Sequence, residues 1–203
     1  MSSAIPTSRR MRAPARREQL LDVASQIAVE QGFHAVSVEA IARRAGITRA
    51  VIYQHFADLQ ALLEAVIERE TSRALAQVSE TALGDLSGGD RKELMLESLG
   101  AYLRAVNDHP NTWRLVLMSP EGAPESLRRS VADGRRSVLA QLTRAVGPAL
   151  RSGDSGDAEL TARLLSAVSD EYARLVLTDP DRYSPERLLL HARWWLDQSS
   201  FGL

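Results

Sequence analysis

Apolar residues recur every three to four positions along almost the whole chain after residue 17. This is the period of an amphipathic α-helix, and no alternation typical of a β-strand persists over more than a few residues. Polar segments rich in glycine or proline interrupt the pattern at 84–90, 120–124 and 151–157. The sequence therefore predicts an all-α protein with about nine helices.

Residues that start or stop helices divide this pattern. Gly32 and Gly46 close the first two helices, and Pro110 ends the fifth at residue 109. Side chains suited to capping a helix N-terminus precede the other apolar stretches. These are Ser37, Thr48, Asp58, Asp90, Asp157 and Ser184.

The composition excludes several kinds of protein. Cysteine is absent, which rules out disulfides, thiol catalysis and zinc sites built on thiolates. The longest unbroken apolar run has four residues, 115–118, far short of a membrane span. The four histidines, His34, His55, His109 and His191, are scattered along the sequence. We therefore expect no metal ion and no cofactor. We expect a cytoplasmic location.

Charge is unevenly distributed along the chain. Residues 1–57 carry eight arginines against four acids, whereas residues 58–203 carry 17 basic residues against 22 acids. Five of those arginines lie in the first 17 residues, where there is no acid and no apolar period. This indicates a flexible basic arm and a front part that meets a polyanion. A transit peptide is the alternative, but Pro6 and Pro14 oppose the amphipathic helix that it needs.

Two short predicted helices, 38–45 and 48–55, are joined by a turn at Gly46. This is the plan of a helix-turn-helix unit, whose turn favours glycine because the backbone needs a positive φ. Four apolar residues are expected to form its small core: Ile41, Ile47, Ile52 and Phe56.

The second short helix offers side chains suited to DNA. Arginine recognises guanine or phosphate, glutamine recognises adenine, and a small apolar side chain contacts the thymine methyl group. Arg49, Gln54 and Ala50 supply these three chemistries, and Thr48 and Tyr53 supply hydroxyls for phosphates.

Residues 17–67 resemble the N-terminal domain of the TetR family of bacterial transcription regulators. The shared residues are Ala24, Gly32, Ser37-Val38, Ile41-Ala42, Ala45-Gly46, Tyr53, His55-Phe56 and Leu62-Leu63. The resemblance implies that Tyr53, His55 and Ser37 contact phosphates while Arg49, Ala50 and Gln54 face bases. With the arm included, the expected DNA-binding residues are Arg9, Arg10, Arg12, Ser37, Arg44, Thr48, Arg49, Ala50, Tyr53, Gln54 and His55. Leu59-Gln60 stands where the family usually has a phosphate-binding lysine.

The resemblance also implies a layout. We expect a flexible arm over 1–15, a helix-turn-helix domain over 16–60 and a helical effector-binding and dimerisation domain over 61–203. The last helix supports dimerisation because its apolar residues cover two faces. The core of the monomer can bury one face, and a second copy of the chain can bury the other. The alternative is a last helix that is central in its own monomer. The expected interface residues are Leu164, Val168, Leu189, Leu190, Arg193, Trp194 and Asp197.

A small-molecule effector is implied between the fourth and eighth helices. The expected lining residues are Leu99, Tyr102, Leu103, Trp113, Leu117, Met118, Val138, Leu142 and Tyr172. Most are apolar, which favours an apolar effector, although each could equally be ordinary core. Four polar residues are candidates to contact it: Arg114, Asp170, Glu171 and Arg174.

Taken together, these features predict a homodimeric repressor that binds a palindromic operator and is released by a small molecule. An enzyme is not expected: GDSG at 153–156 matches a serine-protease motif, but it lies in a polar loop without the framework and partners that the motif needs. A helical dimer that has lost DNA binding stays an alternative because of Leu59-Gln60.

Overall fold

The computed structural model of the chain describes residues 12–81, 91–149 and 157–198. These residues form nine α-helices and two short 3₁₀ turns, at Phe33–Ala35 and Gly147–Ala149, and contain no β-strand. The helices are α1 Ala13–Gln31, α2 Val38–Ala45, α3 Arg49–Tyr53, α4 Leu59–Glu80, α5 Arg91–Asp108, α6 Pro110–Leu117, α7 Glu125–Val146, α8 Ala158–Thr178 and α9 Pro185–Gln198. The prediction of an all-α fold with about nine helices is confirmed.

Four of the expected N-terminal caps are present, the longest bond being at Ser184, whose Oγ accepts from Arg187 N at 3.4 Å. Ser37 Oγ accepts a hydrogen bond from Ala40 N at 3.1 Å, and Asp58 Oδ1 accepts one from Ala61 N at 2.8 Å. Asp157 Oδ1 accepts from the backbone at the start of α8, from Glu159 N at 2.8 Å. Asp90 lies outside the described residues. These bonds satisfy amides that have no partner within their own helices.

The expectation for α3 was wrong in two respects. Its side-chain cap is absent: Thr48 makes no such bond, and its carbonyl instead accepts from Val51 N at 3.1 Å. The helix also ends at Tyr53 rather than at residue 55. The chain turns there because Phe56 must enter the core and Asp58 must begin α4, and His55 N closes the turn on Ile52 O at 2.9 Å.

Two apolar cores share α4. The first holds α1, α2 and α3 against the front of α4 through Ile41, Ile52 and Phe56, with Ile47 packed at its edge. The second collects the back of α4 at Ala74 with α5, α6, α8 and α9. Because α4 runs unbroken from one core to the other, it connects the two cores directly.

A second connection between the two parts lies at the loop between α6 and α7. Phe33 N, directly after α1, donates a hydrogen bond to Glu121 O in this loop at 2.8 Å. Gly32 has φ +85°, and a Cβ there would lie 2.8 Å from His34 Nδ1 and 3.1 Å from Glu121 O. Glycine is therefore required for this close approach.

None of the helices in the described residues is long and apolar enough to cross a membrane.

Candidate nucleic-acid interface and ligand cavity

The exposed face of α3 carries the polar side chains that the sequence singled out. Gly46 adopts the left-handed conformation, with φ 65° and ψ 37°, and so turns the chain from α2 into α3. Ile52 points into the core, which directs the opposite side of α3 outward. Five predicted residues are exposed on or beside this helix: Thr48, Arg49, Ala50, Tyr53 and Gln54.

Two arginines of this surface are held by carboxylates of the same chain. Arg49 Nη1 lies 2.8 Å from Glu39 Oε1, and Arg44 contacts both carboxylate oxygens of Glu30 at 2.7 and 2.8 Å. These hydrogen bonds lower the pKa of Glu30 and of Glu39. Both pairs are exposed, and such pairs contribute little free energy because water screens them. Either arginine can therefore exchange its carboxylate partner for a phosphate at a small cost in free energy.

The remaining predicted DNA-binding residues lie around α3. Ser37 and His55 are half-buried, and Arg12 is exposed just before α1. Ser37 Oγ accepts from Ala40 N, so its hydroxyl proton is left to donate to another group. Arg9 and Arg10 lie outside the described residues.

Two features near this surface were not expected from the sequence. The Arg17 guanidinium lies over the Phe56 ring, 5.0 Å from its centroid, which attaches the first turns of α1 to the helix-turn-helix core. Gln60 Nε2 donates to Glu64 Oε1 at 2.8 Å and is exposed at the start of α4. Gln60 belongs to the Leu59-Gln60 pair that stands where the family usually has a phosphate-binding lysine, so this position has no positive charge.

A cavity of about 210 Å³ lies between helices α4 to α9. Its wall is mostly apolar and includes seven of the nine predicted residues. These are Leu99, Tyr102, Trp113, Leu117, Val138, Leu142 and Tyr172.

Two predicted lining residues are not part of this wall. Leu103 is fully buried and packs in the second core instead. Met118 follows the end of α6 and is 47% exposed. Helical spacing identifies the apolar face of a helix, but it does not separate core contacts from cavity contacts on that face.

The sequence interpretation missed the parts of the wall contributed by α4 and α9. Leu75 and Val78 come from α4, and Ala192, Trp195 and Leu196 come from α9. The periodicity identified these residues as apolar, but nothing in it indicated that the two helices face one cavity.

The cavity wall includes one charged cluster. Asp170 of α8 lies 3.5 Å from the Tyr102 hydroxyl and 3.7 Å from Arg135 Nη2, and both neighbours also line the wall. Burial raises the pKa of Asp170, opposed by Arg135 and Arg174. Burial also raises the pKa of Tyr102, so that its hydroxyl keeps its proton and remains a donor.

Of the other polar candidates, Arg174 lies 3.9 Å from Asp170 but does not line the cavity, and Arg114 and Glu171 are engaged elsewhere. Arg114 donates to Leu177 O at 3.0 Å, and Glu171 pairs with Arg174 at 3.4 Å on the surface. Trp113, by contrast, is fixed within the cavity wall. Its Nε1 donates to Gln77 Oε1 at 2.8 Å, and its ring packs edge-on against Tyr102 with centroids 5.0 Å apart.

Large apolar side chains are exposed on the outer sides of α8 and α9. Leu160 is 58% and Leu164 65% exposed on α8, and Leu190 is 70% and Trp194 58% exposed on α9. The alternative of a last helix enclosed within its own monomer is therefore wrong. The two helices meet where the Tyr172 hydroxyl lies 2.6 Å from His191 Nδ1.

The charged residues predicted for this face form ion pairs within the chain. Arg193 contacts both carboxylate oxygens of Glu93, and Asp197 Oδ1 lies 2.7 Å from Lys92 Nζ. Both pairs join α9 to α5. Val168 lines the cavity, and Leu189 is half-buried.

A buried carboxylate lies where α1, α4 and α6 meet. Glu70 of α4 is 2% exposed and accepts hydrogen bonds from Thr112 of α6 and from Arg69, the latter at 2.5 Å. Arg69 in turn lies 2.9 Å from both Glu18 and Asp22 of α1. We call Glu18, Asp22, Arg69, Glu70 and Thr112 the junction cluster. The junction cluster was not predicted, because it joins three segments, around residues 18–22, 69–70 and 112, that are far apart in sequence.

Known proteins match this arrangement. Residues 20–66 match the family model described as bacterial regulatory proteins, tetR family. The HTH-type transcriptional activator FasR of Mycolicibacterium smegmatis is 32% identical over 101 residues, which cover 50% of this chain and 45% of FasR. The matched part thus spans less than half of that relative.

Solved structures extend the likeness to the whole fold. A TetR-like transcriptional regulator from Rhodococcus sp. RHA1 has a TM-score of 0.70 at 22% identity, covering 94% of this chain and 100% of its own. The fatty acid degradation regulator FadR from Bacillus halodurans has a TM-score of 0.66 at 16% identity, covering 95% and 99% of the two chains. At these identities the likeness concerns the fold alone.

Proposed function

We propose that the chain is a transcriptional regulator of the TetR family that binds a palindromic operator as a homodimer and is released by a small-molecule effector, as the family match over residues 20–66 supports. The observation that carries the proposal is the exposed polar face of α3, set on a buried helix-turn-helix core. A regulator that acts on DNA in this way works in the cytoplasm, and the family consists of regulators rather than enzymes.

The proposed DNA contacts follow the chemistry of α3 and its surroundings. Arg49, Ala50 and Gln54 face base edges in the major groove, where their functional groups distinguish bases. Phosphates are contacted by Ser37, Arg44, Thr48, Tyr53 and His55, and the arginines of the arm, Arg9, Arg10 and Arg12, enter the neighbouring minor groove. Arg49 leaves Glu39, and Arg44 leaves Glu30, when DNA supplies a better partner.

We propose that a second copy of the chain covers the exposed apolar face of α8 and α9. Large apolar side chains remain exposed on both helices, and Trp194 is the kind of residue that dominates protein interfaces. A twofold dimer presents the same face of both copies, so Leu164, Leu190 and Trp194 would pack against residues of that same face in the partner. It also spaces two α3 helices for successive major grooves, about 34–36 Å apart.

The effector acts on DNA binding through linkage. Helices α4 and α6 line the cavity, and in the junction cluster α4 contacts α1 through Arg69 while α6 contacts α4 through Thr112. An effector that prefers a dimer whose two α3 helices are wrongly spaced weakens operator binding by the free energy of that preference. Helix α4 is the main carrier of this movement because it belongs to both cores.

Repression is the proposed outcome of operator binding. Activation is the second candidate, because FasR, which shares 32% identity over 101 residues, is named an activator. A promoter fused to a reporter separates the two: deletion of the gene raises expression under repression and lowers it under activation.

Footprinting on the DNA upstream of the gene tests the proposal as a whole. We expect two protected half-sites related by symmetry, with centres about one helical turn or a multiple of it apart. Protection of a single unsymmetrical site would contradict binding as a twofold dimer.

A further inference from the structure

The cavity contains one carboxylate whose hydrogen-bonding capacity is poorly used. The nearest donors to Asp170 are the Tyr102 hydroxyl at 3.5 Å and the guanidinium groups of Arg135 and Arg174 at 3.7 and 3.9 Å. Good hydrogen bonds to a carboxylate measure about 2.5–2.9 Å, so none of the three satisfies it. Removing a carboxylate from water without close donors costs free energy. A ligand donor that reaches this carboxylate therefore gains more binding free energy than one that contacts a group already satisfied.

The rest of the wall narrows the choice of ligand. Among the described residues, Asp170 and Arg135 are the only Asp, Glu, Lys or Arg side chains lining the cavity, and the rest is mostly apolar. Arg135 is 52% exposed, so water already solvates its charge, whereas the Asp170 side chain is 23% exposed. A ligand therefore gains more by pairing with Asp170 than with Arg135.

We propose that the effector is an apolar molecule whose head group donates a hydrogen bond to Asp170, with a protonated amine binding best and a hydroxyl next. This inference rests on the proposed function, since it specifies the ligand of that same cavity. A ligand carboxylate placed here is repelled by Asp170, and the attraction that it gains from Arg135 is weak because water already solvates that half-exposed guanidinium. A free fatty acid is for this reason the disfavoured ligand, although the structural neighbour FadR is described as a fatty acid degradation regulator.

The test compares three ligands that share a ten-carbon skeleton and differ in the head group: decylamine, 1-decanol and decanoate. Each is titrated below its micelle concentration into the full-length protein, by calorimetry and by tryptophan fluorescence. Trp113 and Trp195 line the cavity and report its occupation. We expect decylamine to bind about tenfold to a hundredfold more tightly than decanoate, the range that a hydrogen bond to a charged group supports.

Variants assign this preference to Asp170. Asp170→Asn should lower the affinity for decylamine about tenfold or more and lower that for decanol less, because the asparagine amide oxygen still accepts from a hydroxyl. Asp133→Asn is the matched control, because it changes an exposed carboxylate on α7 that pairs with Arg136. It should bind the three ligands in the same order of affinity as the wild-type protein. Arg135→Gln should not weaken decylamine binding. Thermal unfolding of each variant checks that the fold is retained.

Decanoate binding most tightly, or an order of affinities unchanged in Asp170→Asn, would overturn the inference. Failure of all three ligands to bind would overturn it as well. Operator binding measured on the same preparations separates this result from the proposed function. Retained operator binding with no preference for the amine rejects only the inference about the ligand. Amine binding without any operator binding rejects only the proposed function as a DNA-binding regulator.

Discussion

Two side chains of α3 are expected to differ in what they contribute to DNA binding. Arg49 and Tyr53 are both exposed, but the arginine is assigned to base edges and the tyrosine hydroxyl to phosphate. Arg49→Ala should lose about 1–3 kcal/mol on the cognate operator and much less on random DNA. Binding isotherms on both DNAs measure this difference, and equal losses on the two would contradict a base-reading role.

Tyr53→Phe keeps the ring and removes only the hydroxyl. It should weaken binding to all sequences alike, by about 0.5–1.5 kcal/mol, the usual contribution of one hydrogen bond. The same isotherms serve as the measurement. A change in sequence preference would show that Tyr53 contacts bases instead.

Glu70 is the residue on which the junction cluster depends. It is 2% exposed and bonded to Arg69 and Thr112, whereas Glu18, which also contacts Arg69, is 49% exposed. Glu70→Gln should lower the free energy of unfolding by about 1–3 kcal/mol because a charged partner is lost in a buried place. Glu18→Gln should cost less than about 1 kcal/mol. Urea unfolding of both variants measures the two costs, and equal costs would show that burial does not strengthen the contacts of Glu70.

At the scale of the elements, the two positive-φ glycines beside the helix-turn-helix unit are expected to tolerate substitution differently. Gly46 has no atom within 4 Å of an added Cβ, so Gly46→Ala should cost only the backbone penalty, about 1–2 kcal/mol. Gly46→Asn should cost less, because asparagine tolerates the left-handed conformation. Gly32→Ala should cost more than either, since its Cβ also meets His34 and Glu121 O.

Thermal and urea unfolding of these three variants rank them directly. A Gly32→Ala variant as stable as Gly46→Ala would contradict the close approach between α1 and the loop that joins α6 to α7.

Helix boundaries were well predicted from local signals and poorly predicted where tertiary contacts set them. Ser37, Asp58 and Asp157 cap their helices because capping depends only on residues within one turn. The end of α3 at Tyr53 instead depends on Phe56 entering the core, which involves contacts distant in sequence. The junction cluster and the α9 part of the cavity wall were missed for the same reason.

At the scale of the whole molecule, the exposed face of α8 and α9 should hold two copies together. A variant carrying Leu190→Glu and Trp194→Ser should sediment as a monomer at micromolar concentration, because charge and the loss of apolar area oppose pairing. Its affinity for a full palindrome should fall far more than its affinity for a half-site. Met118→Glu, at another exposed apolar residue, is the control and should remain a dimer. A doubly substituted variant that still dimerises would place the interface elsewhere.

The central claim is that this chain recognises a particular DNA sequence. The most direct measurement selects bound fragments from the genome that encodes it, after the protein has been unfolded and refolded to remove any bound effector. The selected fragment and a scrambled copy are then titrated over a range of salt concentrations. We predict affinity that falls steeply with salt on both DNAs and is about 10³-fold or more higher for the selected fragment. Equal, weak binding to the two would contradict the claim and favour a helical dimer that has lost its DNA-binding function.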